Sequence, residues 1–99
     1  MAEDLKERLR ADLNSARKDR DRFRTTLLST FLSEARKREI ELGSEVGDAD
    51  IQALLTTQIK RRREAAEQMR AGNREELAVK EDQEALLLQG YLPPQLTEE

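Results

Sequence analysis

Met69-Arg70-Ala71-Gly72-Asn73-Arg74-Glu75-Glu76-Leu77 is the stretch that decides how this chain folds. A charged helical pattern runs into Gly72, the residue best suited to end it. Asn73, followed three residues later by Glu76, has the spacing of a capping box that opens the next helix ahead of the apolar Leu77. So short a connection forces the flanking helices antiparallel. The third and fourth helices are therefore expected to form a long hairpin.

Working outward, the third helix is traced back to Asp48, which is expected to cap it, through an apolar stripe of Ile51, Leu54, Leu55, Ala65, Ala66 and Met69. The fourth is built on Leu77, Leu88 and Tyr91 and ends at Gly90. Upstream, Gly43, Ser44 and Gly47 make a loop. A second helix precedes it from about Asp21 to Leu42, burying Phe23, Leu27, Leu28, Phe31, Ala35 and Leu42 and leaving Ile40 outside that face. A first helix, from about Glu3 to Lys18, carries a narrow stripe of Leu5, Leu9, Leu13 and Ala16. The first two helices are expected to be the mobile or cross-packing elements. The fold class is all-α, a four-helix domain over residues 1–90. Residues 91–99, with Pro93, Pro94 and then Thr97-Glu98-Glu99 in the pattern of a new helix start, are expected to link to a further small helical domain before which the chain is truncated.

Composition agrees. Of 99 residues, 39% are charged and 3% aromatic, the profile of long amphipathic helices rather than of sheets. A chain of this size buries a thin seam of side chains, so no deep pocket is expected. The absence of Cys and His removes disulfides, thiolate and imidazole metal ligands and the usual nucleophile–base pairs. No cofactor and no metal are expected. The start, Met1-Ala2-Glu3-Asp4-Leu5-Lys6, lacks the basic-then-apolar pattern of a targeting segment, and no apolar run is long enough to span a bilayer. The expected location is cytoplasmic, without membrane contact.

Two features of charge stand out. Arg62 lies at the centre of the third helix's apolar stripe, with Gln58, Ile59, Ala65 and Ala66 as its helical neighbours and no acid among them. Counted outward from the Gly72–Asn73 turn, Glu84 stands opposite it, with Glu81 one turn away. A structural ion pair of Arg62 with Glu84 or Glu81 is expected in the hairpin seam, fixing register more than adding stability. The second feature is clustering: the whole chain carries −3, yet residues 17–38 carry +5 and residues 60–63 carry +4. Lys60, Arg61, Arg63, Arg36, Lys37 and Arg38 are the candidate RNA-binding residues, since grouped cations attract a phosphate backbone even on an acidic protein. The competing reading is a solvated helix face, with Glu64 and Glu67 four residues beyond Lys60 and Arg63. Stacking aromatics are nearly absent, so recognition would be of backbone shape.

Paired acids at Asp48-Ala49-Asp50 and Glu81-Asp82-Gln83-Glu84 fall where helix starts and seams ordinarily place them, and no phosphate-binding glycine loop or nucleophile elbow is present. No catalytic residue is assigned.

The order and spacing of several blocks nonetheless carry a resemblance. They are Leu5-Lys6-Glu7-Arg8-Leu9, Arg38-Glu39-Ile40-Glu41-Leu42-Gly43, Ile59-Lys60-Arg61-Arg62-Arg63-Glu64, Ala71-Gly72-Asn73-Arg74-Glu75-Glu76-Leu77-Ala78 and Tyr91-Leu92-Pro93-Pro94-Gln95-Leu96-Thr97-Glu98-Glu99. Across essentially its whole length the chain resembles the YqeY family, also called GatB/YqeY-like. The C-terminal domain of that family is similar to the tail of the B subunit of the glutamyl/aspartyl-tRNA amidotransferase. The resemblance implies the general activity of a carbon–nitrogen ligase with glutamine as amido-nitrogen donor. It also implies tRNA or a translation-linked protein as partner, through a helical module with no catalysis of its own. The alternative is a protein–protein interaction adaptor with no nucleic-acid role.

Overall fold

The computed structural model describes residues 4–93, which form α1 (Leu5–Lys18), α2 (Arg22–Leu42), α3 (Asp48–Ala71) and α4 (Glu75–Gln89), with no strand among the described residues. They fall into two units that divide between Ile51 and Gln52, with the first turn of α3 in the first. The expected linker of residues 91–99 lies beyond the described residues from Pro94 onward.

In the first unit, the Asp4 carboxylate caps α1 by accepting the Glu7 backbone N–H at 2.8 Å. The expected stripe of Leu5, Leu9, Leu13 and Ala16 is buried. It packs on α2, whose Leu27, Leu28, Phe31 and Ala35 are buried in turn. The turn between them needs three residues. Asp21 N–H reaches back to the Ala16 carbonyl and Arg20 N–H to that of Arg17, the paired bonds of a Schellman ending, with Arg20 left-handed at φ 56°. Asp21 then caps α2 directly, accepting the Arg24 N–H at 3.1 Å. The first two helices are thus a hairpin in their own right. The sequence pattern gives no hint of this because a left-handed arginine carries no glycine signal.

Two expected core positions differ. Leu42 is 52% exposed because the packed stripe of α2 stops at Ala35, and Phe23, in the first turn of α2 ahead of that stripe, is only half-buried. Val46, in the loop after Gly43, is buried instead.

In the second unit α3 and α4 pack closely as the expected hairpin. The buried residues include Ala66, Ala78 and Ala85, all at or below 1% exposure, with Leu88 and Tyr91. Leu77 is not in this seam; it is 40% exposed. The turn also differs from the capping box expected at Asn73. Arg74 N–H bonds the Met69 carbonyl at 2.7 Å and Asn73 N–H that of Arg70 at 3.0 Å, with Asn73 left-handed at φ 63°. Asn73 therefore ends α3 rather than opening α4, whose N-cap is Arg74 with no side-chain cap bond. Asparagine tolerates the left-handed region, and that use wins over its use as a cap. The three-residue turn after α1 is repeated here.

Candidate functional site: cations on two helices

Which charges are already spent decides what the surface of each unit can do. In the first unit the Glu39 carboxylate receives Lys6 Nζ at 2.6 Å and the Val46 N–H at 3.1 Å, joining the start of α1, the end of α2 and the following loop. The Lys6 hydrogen bond, then the Val46 N–H, hold the Glu39 carboxyl below its usual range, and the same bond to Glu39 raises Lys6. Asp48 is not the cap of its own helix. It sits in the first turn of α3, and its Oδ1 accepts the Leu5 N–H at 2.9 Å, satisfying the first free donor of α1. The Gly47 carbonyl accepts the Ile51 N–H at the start of α3, and Asp50 turns back toward the Gly47 N–H at 3.4 Å. Asp48 thus joins helices, and Asp50 accepts from the loop before α3.

The first basic zone is similarly divided. Arg24 is 3.8 Å from both Asp19 and Asp21 and reaches the Asp12 carbonyl at 3.5 Å, so it braces the α1–α2 turn. Arg36, Lys37 and Arg38 are different: all three are exposed, and among the described residues none has a carboxylate within 4 Å. At about 100° per residue they fan around α2 rather than sharing one face.

In the second unit, Arg62 Nε lies 3.3 Å from Glu84 Oε1 across the seam, both side chains under one-fifth exposed. The Arg62 Nη1 donates to Gln58 Oε1 at 3.2 Å. The Nε–H itself is buried and misaligned with Glu84, making a charge contact without a hydrogen bond. Burial raises the Glu84 carboxyl, Glu81 adds to the rise, and Arg62 pulls the other way without winning. Glu81 is half-buried beside Glu84 rather than paired with Arg62 in a salt bridge. Arg70 bridges the turn, to Glu75 at 3.1 Å and Asp82 at 2.7 Å. Both carboxylates raise it. Asp82 and Glu84, like the Asp48 pair, are engaged with structural partners. Among the described residues no three Asp, Glu, His or Cys side chains converge on a metal site.

Lys60, Arg61 and Arg63 are exposed on α3. The expected partial neutralisation by Glu64 and Glu67 is not seen: no salt bridge within 4 Å joins them. Arg63 Nη2 donates to the neutral Gln89 Oε1 at 2.7 Å and so keeps its net charge while being aimed by α4. Lys60 and Arg63, one turn apart, line a single groove with Ile59 and Leu92, and Glu64 and Glu67 line it too, near the cations without forming a salt bridge to them. Gln89 is the partner that the sequence does not reveal, since a neutral side chain 26 positions away leaves no local trace.

A family model described as Yqey-like protein matches residues 6–99. The chain belongs to the YqeY family. No curated protein matches it. The match spans nearly all of this YqeY-like chain, including both helical hairpins and the cations of both units. No helix among the described residues is long and apolar enough to cross a membrane.

Proposed function

We propose that this YqeY-family chain is a non-catalytic helical module that engages structured RNA of the tRNA class. Its contacts are Lys60, Arg61 and Arg63 on α3 and Arg36, Lys37 and Arg38 on α2. The observation that carries this reading is that these cations stand exposed without ion pairs among the described residues, while Lys6, Arg24, Arg62 and Arg70 are spent on carboxylates. Unpaired exposed cations release counterions when they meet phosphate, whereas paired ones must first give up a partner. Amidotransferase-type carbon–nitrogen ligase chemistry belongs, in this reading, to machinery the module serves, in the cytoplasm. Of the carboxylates that could have served as catalytic groups, Asp48, Asp82 and Glu84 are occupied in joining helices and Asp50 accepts from the Gly47 N–H of the preceding loop.

A second reading, docking to a protein partner, draws on Val79 and Leu86, two turns apart on α4 and 40% and 67% exposed. Fluorescence anisotropy of labelled bulk tRNA separates the two. The RNA reading expects binding that the triple change Lys60→Gln, Arg61→Gln, Arg63→Gln weakens by about tenfold or more. Binding untouched by that change, or absent, returns the chain to the adaptor reading.

A further inference from the structure

The hairpin of α1 and α2 holds a groove of about 340 Å³ that the charge pattern alone does not single out. Its walls carry Lys6 and Arg10 from α1, and Ser29, Ser33, Arg36 and Glu39 from α2. The helical spacing accounts for this grouping. Lys6 and Arg10 are one turn apart, as are Ser29, Ser33 and then Arg36, so each helix turns a polar row toward the same trough beside the buried Leu13 and Ala35.

The charges at the two ends differ. Lys6 is held by Glu39 at 2.6 Å and Glu45 at 3.6 Å, and Glu39 is further bound by the Val46 N–H, so that end is internally satisfied. Arg10 and Arg36 have no carboxylate within 4 Å among the described residues. Besides the apolar Leu13, Leu32 and Ala35, the lining thus holds two arginines without a carboxylate partner and two serines, all able to donate. A phosphate offers several acceptor oxygens in tetrahedral array and matches such a set, guanidinium groups binding it in bidentate fashion. The volume lies at the small end of the range for ligand sites.

We propose that this groove is a phosphate-binding site, with Arg10 and Arg36 clamping the anion, Ser29 and Ser33 donating hydroxyl bonds, and the Lys6–Glu39 pair closing one end. It does not depend on the RNA reading, because a free phosphate monoester and a backbone phosphate share this chemistry.

The test is a heteronuclear NMR titration of the isotope-labelled chain with inorganic phosphate at constant ionic strength, and separately with a short RNA oligonucleotide that ends in 5′- and 3′-hydroxyls and so offers backbone phosphates only. The expected result is saturable shifts at the Ser29 and Ser33 amides and the Arg10 and Arg36 side-chain N–H groups, with phosphate half-saturation on the order of 1 mM. Arg10→Gln should weaken it about tenfold, while Arg17→Gln, exposed and outside the groove, should not change it. Saturation by phosphate alone assigns a small phosphate monoester; the same shifts with RNA, displaced by phosphate, assign a backbone phosphate. No saturation with either probe, or shifts indifferent to Arg10→Gln, overturns the site. Arg36 is shared with the cations assigned to tRNA but Arg10 is not, so tRNA binding that survives Arg10→Gln with a silent groove leaves that reading standing.

Discussion

Arg62 and Glu84 meet across the α3–α4 seam at 3.3 Å, yet the Glu84 carboxyl is raised rather than lowered. Burial and the nearby Glu81 outweigh the arginine, so the pair costs desolvation that its attraction does not repay. An acid raised on folding binds protons more readily in the native state. Its ionisation therefore removes stability as pH rises through the interval between the usual value, about 4.3, and the raised one.

Replacing Arg62 by Leu should leave Glu84 in the seam with only the more distant Lys80 of its own helix as a positive neighbour and destabilise the fold by about 2–3 kcal/mol at neutral pH, below the full penalty for a wholly buried pair because both groups keep some exposure. Protonating Glu84 relieves that penalty, so the deficit should shrink on acidification. Glu84→Gln should instead lie within about 1 kcal/mol of the parent, since a neutral amide sheds the carboxylate's desolvation cost and no hydrogen bond to Arg62 is lost. Urea denaturation of the three proteins across pH measures this; an Arg62→Leu protein as stable as the parent would place the guanidinium outside the seam's energetics.

The opposite pH trend comes from Glu39. Its carboxyl is lowered on folding, so its contribution is fully present above the usual carboxylate value and is lost as pH falls through the lowered one. Lys6 is raised, and its share is present below its usual value of about 10.4 and lost as pH climbs through the raised one. Glu39→Gln should be less stable than the parent at neutral pH and should converge with it in acid. Thermal melts at several pH values follow the convergence, and parallel curves for the two proteins would remove Glu39 from the pH dependence.

Arg20 and Asn73 occupy the same left-handed position in the two helical turns, but only asparagine is suited to it. Arg20→Gly should stabilise the chain by roughly 0.5–1 kcal/mol, the relieved strain exceeding the added unfolded-state freedom. Asn73→Gly should change little. Chemical denaturation of the two variants compares them, and a decrease in stability at position 20 would show that the arginine side chain contributes more than its backbone costs.

Helix identity and the α3–α4 hairpin are legible because apolar spacing and the Gly72–Asn73 break are local signals, although Asn73 and not Gly72 takes the left-handed position, and Arg62 stands out as a cation inside an apolar stripe. The turn chemistry misleads at Asn73 because asparagine serves both as a helix cap and as a left-handed terminator, and spacing to Glu76 favours the former. The α1–α2 hairpin is less visible still: its turn uses Arg20, and its ends are tied by Asp48 to Leu5 and Glu39 to Val46, bonds between positions far apart or in a loop. The cations of the candidate surface can be counted from sequence. Which of them are free of carboxylates requires the folded chain, since Arg24 and Arg36 look alike until Asp19 and Asp21 are placed.

The most direct test is the salt dependence of tRNA binding, measured by anisotropy from low to physiological ionic strength. Log Kobs should fall linearly with log salt, and Arg61→Gln with Arg63→Gln should lower the slope by about 0.7–0.9 for each phosphate no longer neutralised, with the fold intact. An affinity indifferent to salt, or a slope unchanged by the two substitutions, would contradict the RNA reading.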